Sequence, residues 1–274
     1  MRGCHASDPA GVVVLPFEQE SYNGSTRAMS YWVTVPVIPQ LLRSTAHWFA
    51  TSVGFAAAWY GVYVAVTWYR YGHPAQASHA GDTDLLLDRF IPAYEVVERH
   101  HVRVSAPAEA TLSAAYNMNL QQSPVVRAIF KGRQLILGGK PEGKSVPLGL
   151  VAQAKAWGWG VLAEVPGREI IFGGATQPWL ANPVFRALPP DEFQAFAEPG
   201  YVKIAWTLHA DRIDETKSLF RTETRVTTTD AVSHAKFRRY WALLSPGIIL
   251  IRWASLGPLK AEAERRARPA QLDH

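Results

Sequence analysis

The chain has 274 residues, of which 48% are hydrophobic and 19% charged, so a packed core is expected and wholesale disorder is not. Cys4 is the only cysteine, which excludes an intramolecular disulfide framework. Because the sequence has no CxxC, HExxH or EF-hand pattern, we expect neither a metal site nor a cofactor.

The net charge of +5 is concentrated at the C-terminus. Residues 231–274 hold eight Lys or Arg and three acidic residues, and the rest of the chain is balanced. A basic helix can contact the phosphates of lipids or nucleic acids, but a solvated helix face is the simpler interpretation. Since no nucleic-acid recognition motif accompanies these residues, we expect no nucleic-acid partner.

Residues 44–69 contain no Asp, Glu, Lys or Arg and lie between Arg43 and Arg70. This length suffices to cross the hydrocarbon core of a bilayer, and Trp48 and Trp68 stand where interfacial aromatic anchors belong. The pattern predicts a transmembrane or signal-anchor helix over residues 44–70. A buried core helix is one alternative. A signal peptide is another, since Ala75-Gln76-Ala77 has the form of a cleavage site.

The segments around this helix carry little pattern. We expect residues 1–43 to be poorly ordered, and Met29 is a candidate for the true start of the protein. Residues 71–83 are small and polar and predict a linker. Arg27 and Arg43 precede the apolar helix, so the positive-inside rule favours a single-pass protein whose main domain is extracytoplasmic.

Beyond the linker, strand-like and helix-like patterns follow one another. Residues 94–105 are β-rich, and residues 108–119 and 123–137 look helical, the second with Ser123 as its cap. Pro166-Gly167 predicts a hairpin turn. The strands predicted after the helices cover 159–165, 169–172, 201–210 and 219–229.

A long helix follows the last strand, with Asp230 as its cap. Its apolar residues recur at spacings of three and four and predict one buried stripe: Phe237, Trp241, Leu244 and Ile248. Ser245-Pro246-Gly247 and Gly257-Pro258 predict kinks or breaks.

Six segments carry a resemblance to a known family: residues 86–104, 120–130, 157–170, 196–208, 220–226 and 237–252. They resemble the SRPBCC superfamily, which includes START-type lipid-binding domains, the birch-pollen-allergen fold and polyketide cyclases. The resemblance is closest to an uncharacterised bacterial branch. It implies an α+β helix-grip domain over residues 84–268, with an antiparallel sheet wrapped around the C-terminal helix and a ligand cavity between them. It transfers no catalytic residue, and residues 269–274 form a tail.

Several side chains could line such a cavity, although core packing alone would also explain the aromatic ones. The aromatic candidates are Phe130, Trp157, Trp159, Trp179, Trp206 and Trp241. Gln177, Tyr201 and Tyr240 could supply polar contacts. Arg221, Glu223 and Arg225 share one face of a strand. In solvent they would form a charge ladder of little energetic value. In the cavity, Glu223 would be a candidate general acid or base.

Two further patterns favour structural interpretations. Gly138–Ser145 matches the phosphate-binding motif GxxxxGK[ST], but no strand–loop–helix unit surrounds it, so we interpret it as a polar loop. His100, His101, His209 and His234 share no ligand spacing, so we interpret them as surface or satisfied core histidines.

Three hypotheses for the function remain open. The favoured one is a membrane-anchored, non-enzymatic binding module for a hydrophobic small molecule, lipid-like or isoprenoid-like. The second is a cyclase- or hydrolase-type enzyme that uses a carboxylate in the cavity. The third is an envelope scaffold whose cavity is vestigial. The oligomeric state is left open.

Overall fold

The computed structural model describes residues 39–73, 84–139 and 149–272, with side chains from residue 47 to residue 268. The proposed start at Met29, most of the polar linker and most of the phosphate-loop-like segment lie outside the described residues. Two compact units are separated after Val62, so the last turns of the first helix belong to the second unit.

The first helix, α1, covers Pro39–Arg70. Its large apolar side chains are exposed, among them Trp48, Phe55 and Trp59, each at least 75% accessible. Two described helices are long and apolar enough to cross a membrane by length and composition, one from His47 to Arg70 and one from Ala231 to Arg268. The first is the helix that the sequence predicts as an anchor, whereas the second packs against a sheet.

The second unit is built on one antiparallel sheet of five strands in the order β1-β5-β4-β3-β2. The strands are β1 (Val96–Val104), β2 (Gly160–Val165), β3 (Glu169–Thr176), β4 (Val202–Arg212) and β5 (Ser218–Thr228). The helices are α2 (Leu85–Asp88), α3 (Ala108–Asn117), α4 (Pro124–Leu137), α5 (Leu150–Ala156), α6 (Pro190–Ala195) and α7 (Ala231–Leu272). This α+β architecture confirms the predicted helix-grip arrangement.

Local signals in the sequence explain several of these boundaries. The Ser123 side chain accepts a hydrogen bond from the Val126 amide and caps α4, with Pro124 in its first turn. Gly167 has φ = 73°, which lets the chain reverse tightly between β2 and β3. The helices α2, α5 and α6 are four to seven residues long and escape prediction, since short helices leave little periodicity.

Each face of the sheet has its own core. The inner face is covered by α3 and α7, with Val104, Phe172 and Phe220 packed against Leu112 and Leu259. The outer face is covered by α2, α6 and the residues after α2, which bury Leu87, Ile91 and Phe193 against β2, β3 and β4. Successive residues of a strand point to opposite faces, so β2, β3 and β4 divide their side chains between these two cores.

The C-terminal helix α7 runs unbroken from Ala231 to Leu272, through Pro246 and Pro258. The predicted breaks are therefore wrong. A proline inside a helix removes a backbone hydrogen bond and costs roughly 3 kcal/mol. The helix continues because residues on both sides of Pro246 and Pro258 pack against the sheet, including Trp241, Leu259 and Ala263.

The start of α7 is fixed by Asp230, as the sequence predicts. Its Oδ1 atom accepts hydrogen bonds from the amides of Val232 and Ser233 at 2.7 and 3.0 Å. The last turns of α1 contact this part of α7: the Tyr63 hydroxyl is 2.9 Å from the Ser245 hydroxyl, and Arg238 donates two hydrogen bonds to the Trp68 carbonyl.

Candidate ligand-binding site

The inward stripe of α7 contains a charged residue. Phe237, Trp241 and Ile248 pack against one end of the sheet, and Leu259 and Ala263 pack against the other. Arg252 lies four residues after Ile248 and seven before Leu259, so it occupies the same helix face. Its guanidinium accordingly reaches β5, where it donates to the Thr224 hydroxyl at 3.0 Å and to the Thr222 hydroxyl at 3.5 Å.

Arg252 is the centre of a polar group between the sheet and α7. We call this group the polar belt, defined as Glu98, His100, Thr222, Thr224 and Arg252. In the sheet register Glu98 faces Thr224 and His100 faces Thr222, so the four strand residues form a compact square on the inner face. The belt separates two apolar clusters, one around Phe237 and Trp241 and one around Phe220 and Leu259.

The apolar clusters on either side are closed, whereas the belt is not. Val226 and Leu259 are at most 3% accessible. Glu98, Thr224 and Arg252 each remain partly accessible, as does Ile204 on the neighbouring strand. The contact between sheet and helix is therefore interrupted at its middle, where polar side chains meet accessible space.

The charge of Arg252 is incompletely matched by its protein neighbours. Within the described part of the chain, no carboxylate forms an ion pair with its guanidinium. Burial lowers the pKa of Arg252 to about 10, and the Glu98 carboxylate nearby opposes this change. The group therefore stays charged at neutral pH. The Trp206 ring lies 5.3 Å from its central carbon, in cation–π range.

His100 is the second incompletely satisfied member of the belt. Its side chain is 9% accessible, and its Nε2 atom is 3.6 Å from Glu98 Oε2, beyond hydrogen-bond distance. That nitrogen is buried and has no hydrogen-bond partner among the described residues. Buried polar atoms are normally paired, so an orphaned one beside the partly accessible Glu98 marks a place where a ligand atom or water belongs.

An aromatic wall adjoins the belt. Trp206 stacks on Phe172 with ring centroids 4.5 Å apart and meets Trp159 edge to face at 5.8 Å. Trp159 in turn contacts Phe185 at 4.3 Å. This wall is continuous with the position of Arg252, because the same Trp206 ring contacts both groups. The site thus has a polar end and an aromatic end.

The structure brings some of the predicted pocket residues together and separates others. Trp159 and Trp206 form the aromatic wall. Trp179, Tyr240 and Trp241 belong to the cluster at the start of α7. Phe130 and Trp157 form a separate pair with ring centroids 6.2 Å apart. Gln177 donates to the Gly200 carbonyl at 2.8 Å, and Tyr201 packs on Phe196 on the outer side.

The charged triplet of β5 lies on the outer face, away from α7. Glu223 accepts hydrogen bonds from Arg99 at 3.2 Å and from Arg225 at 2.7 Å and is nearly buried. Arg225 is 1% accessible and also binds Asp88 and the Ile91 carbonyl. Neither of the two environments considered from the sequence, solvent or cavity, describes Glu223 and Arg225. They form a buried network that ties the segment after α2 to the sheet. Arg221, less buried, pairs with Asp211.

A second buried group on the outer face consists of Asp84, Glu169 and His209. One ligand atom from each lies within 4.8 Å of the others, a spacing that could hold a cation. Burial raises the pKa of Asp84 to about 7, helped by its hydrogen bond with Glu169. Burial also acts to raise the pKa of Glu169, but interactions with His209 and Asp84 outweigh it and lower that pKa. The opposite pKa shifts favour one proton held between the two carboxyls.

A cavity of about 570 Å³ lies at the end of the sheet, not beneath α7. It is formed by the start of α3 and the turns that join β2 to β3 and β4 to β5. Its lining is strongly charged, with Glu109, Arg168, Asp211 and Asp214 among its residues. These properties do not suit a hydrophobic ligand, so the belt and the aromatic wall remain the candidate site.

The polar belt escapes prediction from the sequence, although one signal is present. The stripe Phe237, Trp241, Ile248 continues at the same spacing to Arg252, which composition alone assigns to the basic C-terminus. A charged residue at an inward position of an otherwise apolar stripe is unusual and points to a specific role. The positions of Glu98 and His100 beside Thr224 and Thr222 require the pairing of β1 with β5, which are more than 100 residues apart.

No protein-family model matches the chain, and no curated protein matches it either. Among solved structures, a hypothetical protein from Helicobacter pylori is 8% identical, covering 69% of this chain and 99% of its own, with a TM-score of 0.34. An aromatase/cyclase from Streptomyces sp. R1128 is 16% identical over 64% of this chain and 97% of its own, with a TM-score of 0.25. Similarity at this level assigns no activity.

Proposed function

We propose that the chain is a membrane-anchored binding module for a hydrophobic small molecule, lipid-like or isoprenoid-like, held between the sheet and α7. The observation that carries this proposal is the interrupted core. Two closed apolar clusters flank a stretch in which Trp159, Ile204 and members of the polar belt remain partly accessible. Burial of apolar surface drives ligand binding in such sites, and a few polar groups fix the orientation of the ligand.

The anchor in this proposal is α1. Its exposed apolar side chains would be unfavourable in water and favourable in a bilayer. A binding site tethered to a membrane would exchange a poorly soluble ligand with that membrane over a short distance. We place the main domain on the extracytoplasmic side, following the distribution of Arg around α1.

The non-enzymatic interpretation is favoured over the enzymatic one by the surroundings of Glu223. This carboxylate is held by Arg99 and Arg225 on the face opposite the candidate site. A general acid or base must reach the proton that it transfers. The scaffold interpretation would require that no ligand enters the site at all.

The direct test is native mass spectrometry of the full chain in nanodiscs, followed by organic extraction of the released material. We expect a stoichiometric hydrophobic passenger. Trp206→Ala should lower its occupancy, because Trp206 forms the centre of the aromatic wall. Trp253→Ala is the matched control, since that ring lies on α7 and is 69% accessible. A correctly folded chain that carries no passenger and binds no added alkyl or isoprenoid compound would contradict the proposal.

A further inference from the structure

Arg252 is placed where a cation costs free energy unless an anion accompanies it. It stands at an inward position of α7 where the neighbouring stripe residues are apolar, and burying an unpaired charge is unfavourable. Its five N–H groups have two hydroxyl acceptors, Thr222 and Thr224. Arg252 as a whole remains partly accessible at the middle of the site. Hydroxyl groups do not neutralise a guanidinium, and the nearby Glu98 carboxylate forms no ion pair with it, so this arrangement fits an anionic oxygen group from outside the protein.

We propose that the ligand is an amphiphile with one anionic oxygen group, a carboxylate or a phosphate, which Arg252 binds while the hydrocarbon part lies at the aromatic wall, where Trp159 and Phe185 are partly accessible. This inference rests on the proposed function, because it assigns the chemical class of the molecule held in the same site. It also assigns Arg252 as the residue that distinguishes an anionic amphiphile from a neutral one.

The register of the sheet arranges the side chains of this site in order from polar to apolar. One row of paired residues crosses the inner face from β1 to β2 and changes steadily from polar to apolar: Glu98, Thr224, Trp206, Phe172 and Val161. Arg252 contacts the second and third members of this row. A molecule lying along the row would have its head group at Thr224 and its chain toward the apolar end, where Val161 is partly accessible.

Other charged and titratable groups of the belt modify the preference. Glu98 lies near Arg252 and repels an anionic head group, which limits its affinity. His100 lies beside Glu98 and, through its Nε2 atom, can donate a hydrogen bond to the same head group. This arrangement of charges predicts opposite effects for neutralising Arg252 and neutralising Glu98, which packing changes alone would not produce.

The experiment compares three probes with the same alkyl chain: dodecanoic acid, dodecyl phosphate and dodecanol. Binding to the full chain in nanodiscs is measured by titration calorimetry, with empty nanodiscs as the blank. We expect Arg252→Gln to weaken the binding of the anionic probes about 10- to 100-fold, the range for a hydrogen bond to a charged group. The affinity for dodecanol should change by less than about twofold. Arg239→Gln, exposed on the same helix, is the control and should change neither.

Two further variants distinguish the loss of charge recognition from a folding defect. Arg252→Lys keeps the charge and should retain part of the affinity for the anionic probes. Glu98→Gln should strengthen the binding of those probes and leave dodecanol unchanged. Circular dichroism and thermal unfolding verify that each variant is folded.

The possible outcomes separate the inference from the proposed function. Tighter binding of dodecanoic acid than of dodecanol supports a carboxylate ligand, and tighter binding of dodecyl phosphate alone supports a phosphate head group. If all three probes bind equally well and Arg252→Gln weakens them equally, the charge is not recognised and the inference is wrong, while the binding function stands. If none of them binds and the chain carries no hydrophobic passenger and binds no isoprenoid compound, the proposed function fails as well.

Discussion

At the scale of single residues, Arg225 on the outer face of the sheet and Arg252 against the inner face differ in how their charges are neutralised. On the outer face, Glu223 and Arg225 neutralise each other with help from Arg99 and Asp88. On the inner face, Arg252 lies among hydroxyls and aromatic rings, with no comparable ion pair within the described residues. The first arrangement is complete and therefore structural. The second is incomplete, which is why it forms the candidate site.

Arg225 should be the more important of the two outer-face arginines of β5. Replacing Arg225 by Met leaves Asp88 and the Ile91 carbonyl without their partner, and we expect a loss of about 3–5 kcal/mol in the free energy of unfolding. Arg221→Met is the matched control on the same strand. Because Arg221 is 24% accessible and pairs with a partly exposed Asp211, its loss should cost about 0–1 kcal/mol. Urea denaturation of both variants measures the difference, and equal losses would contradict the assignment.

Asp84 should make the stability of the protein depend on pH. Its pKa is raised to about 7, so the folded state keeps a proton that the unfolded state loses above about pH 4. The stabilising contribution of this proton is therefore complete at low pH and is lost as the pH rises through 7. The groups that face Asp84 are Glu169 and His209, and Arg168 acts on Glu169.

Asp84→Asn tests this prediction, because asparagine retains the capping of α2 but has no acidic group. We expect the variant to lose the decline in stability between about pH 4 and pH 7 and to be more stable than the wild type at the upper end of that range. Urea unfolding measured at several pH values across this range gives the comparison. If the free energy of unfolding of the variant declined with pH as steeply as that of the wild type, Asp84 would not be the group that carries the proton.

At the scale of elements, the packing of α4 against α7 explains how α7 tolerates its prolines. Gly247, next to Pro246, lies close to α4, and a Cβ atom there would be 3.0 Å from Ile129 Cγ2. This close approach helps to hold the proline-containing turn in place. A Cβ atom added to Gly132, in the interior of α4, would meet no described atom within 4 Å.

These two glycines should respond differently to alanine. Gly132→Ala should raise the free energy of unfolding by about 1 kcal/mol, because alanine loses less backbone entropy in a helix and meets no obstacle. Gly247→Ala should gain less or lose stability, because Ile129 must move. Thermal unfolding monitored by circular dichroism distinguishes them. A larger gain at Gly247 than at Gly132 would argue against close packing between the two helices.

At the scale of the whole molecule, the protein combines an exposed apolar helix with a domain whose strands and helices are packed around two cores. Apolar side chains as exposed as Phe55 and Trp59 are rare on a soluble surface, and this composition favours a lipid environment for α1. The helix α7 is also long and apolar enough to span a bilayer, but its inward stripe is in contact with the sheet. We therefore assign the proposed anchoring function to α1.

Charges placed in α1 should remove the protein from membranes. We expect the double variant Phe55→Asp, Val62→Asp to shift from the carbonate-resistant membrane fraction to the soluble fraction, since each central Asp costs roughly 2.5–3.5 kcal/mol on insertion. Leu85→Asp, 78% accessible on α2, is the control and should stay with the membrane. Equal fractionation of the double variant and the control would contradict the anchor.

The sequence by itself determined the fold class and the apolar α1. The patterns of residues 201–210 and 219–229 identified two central strands and placed Arg221, Glu223 and Arg225 on one common face, because side-chain direction in a strand follows local geometry. Asp230 located the start of α7, because a helix cap likewise depends on neighbouring residues. The tertiary structure alone decided that α7 is unbroken, that Glu223 belongs to the outer network, and that Arg252 meets Glu98 and Trp206. These features depend on contacts between residues far apart in the chain, whose energies outweigh the local preference of a proline or the composition of a basic tail.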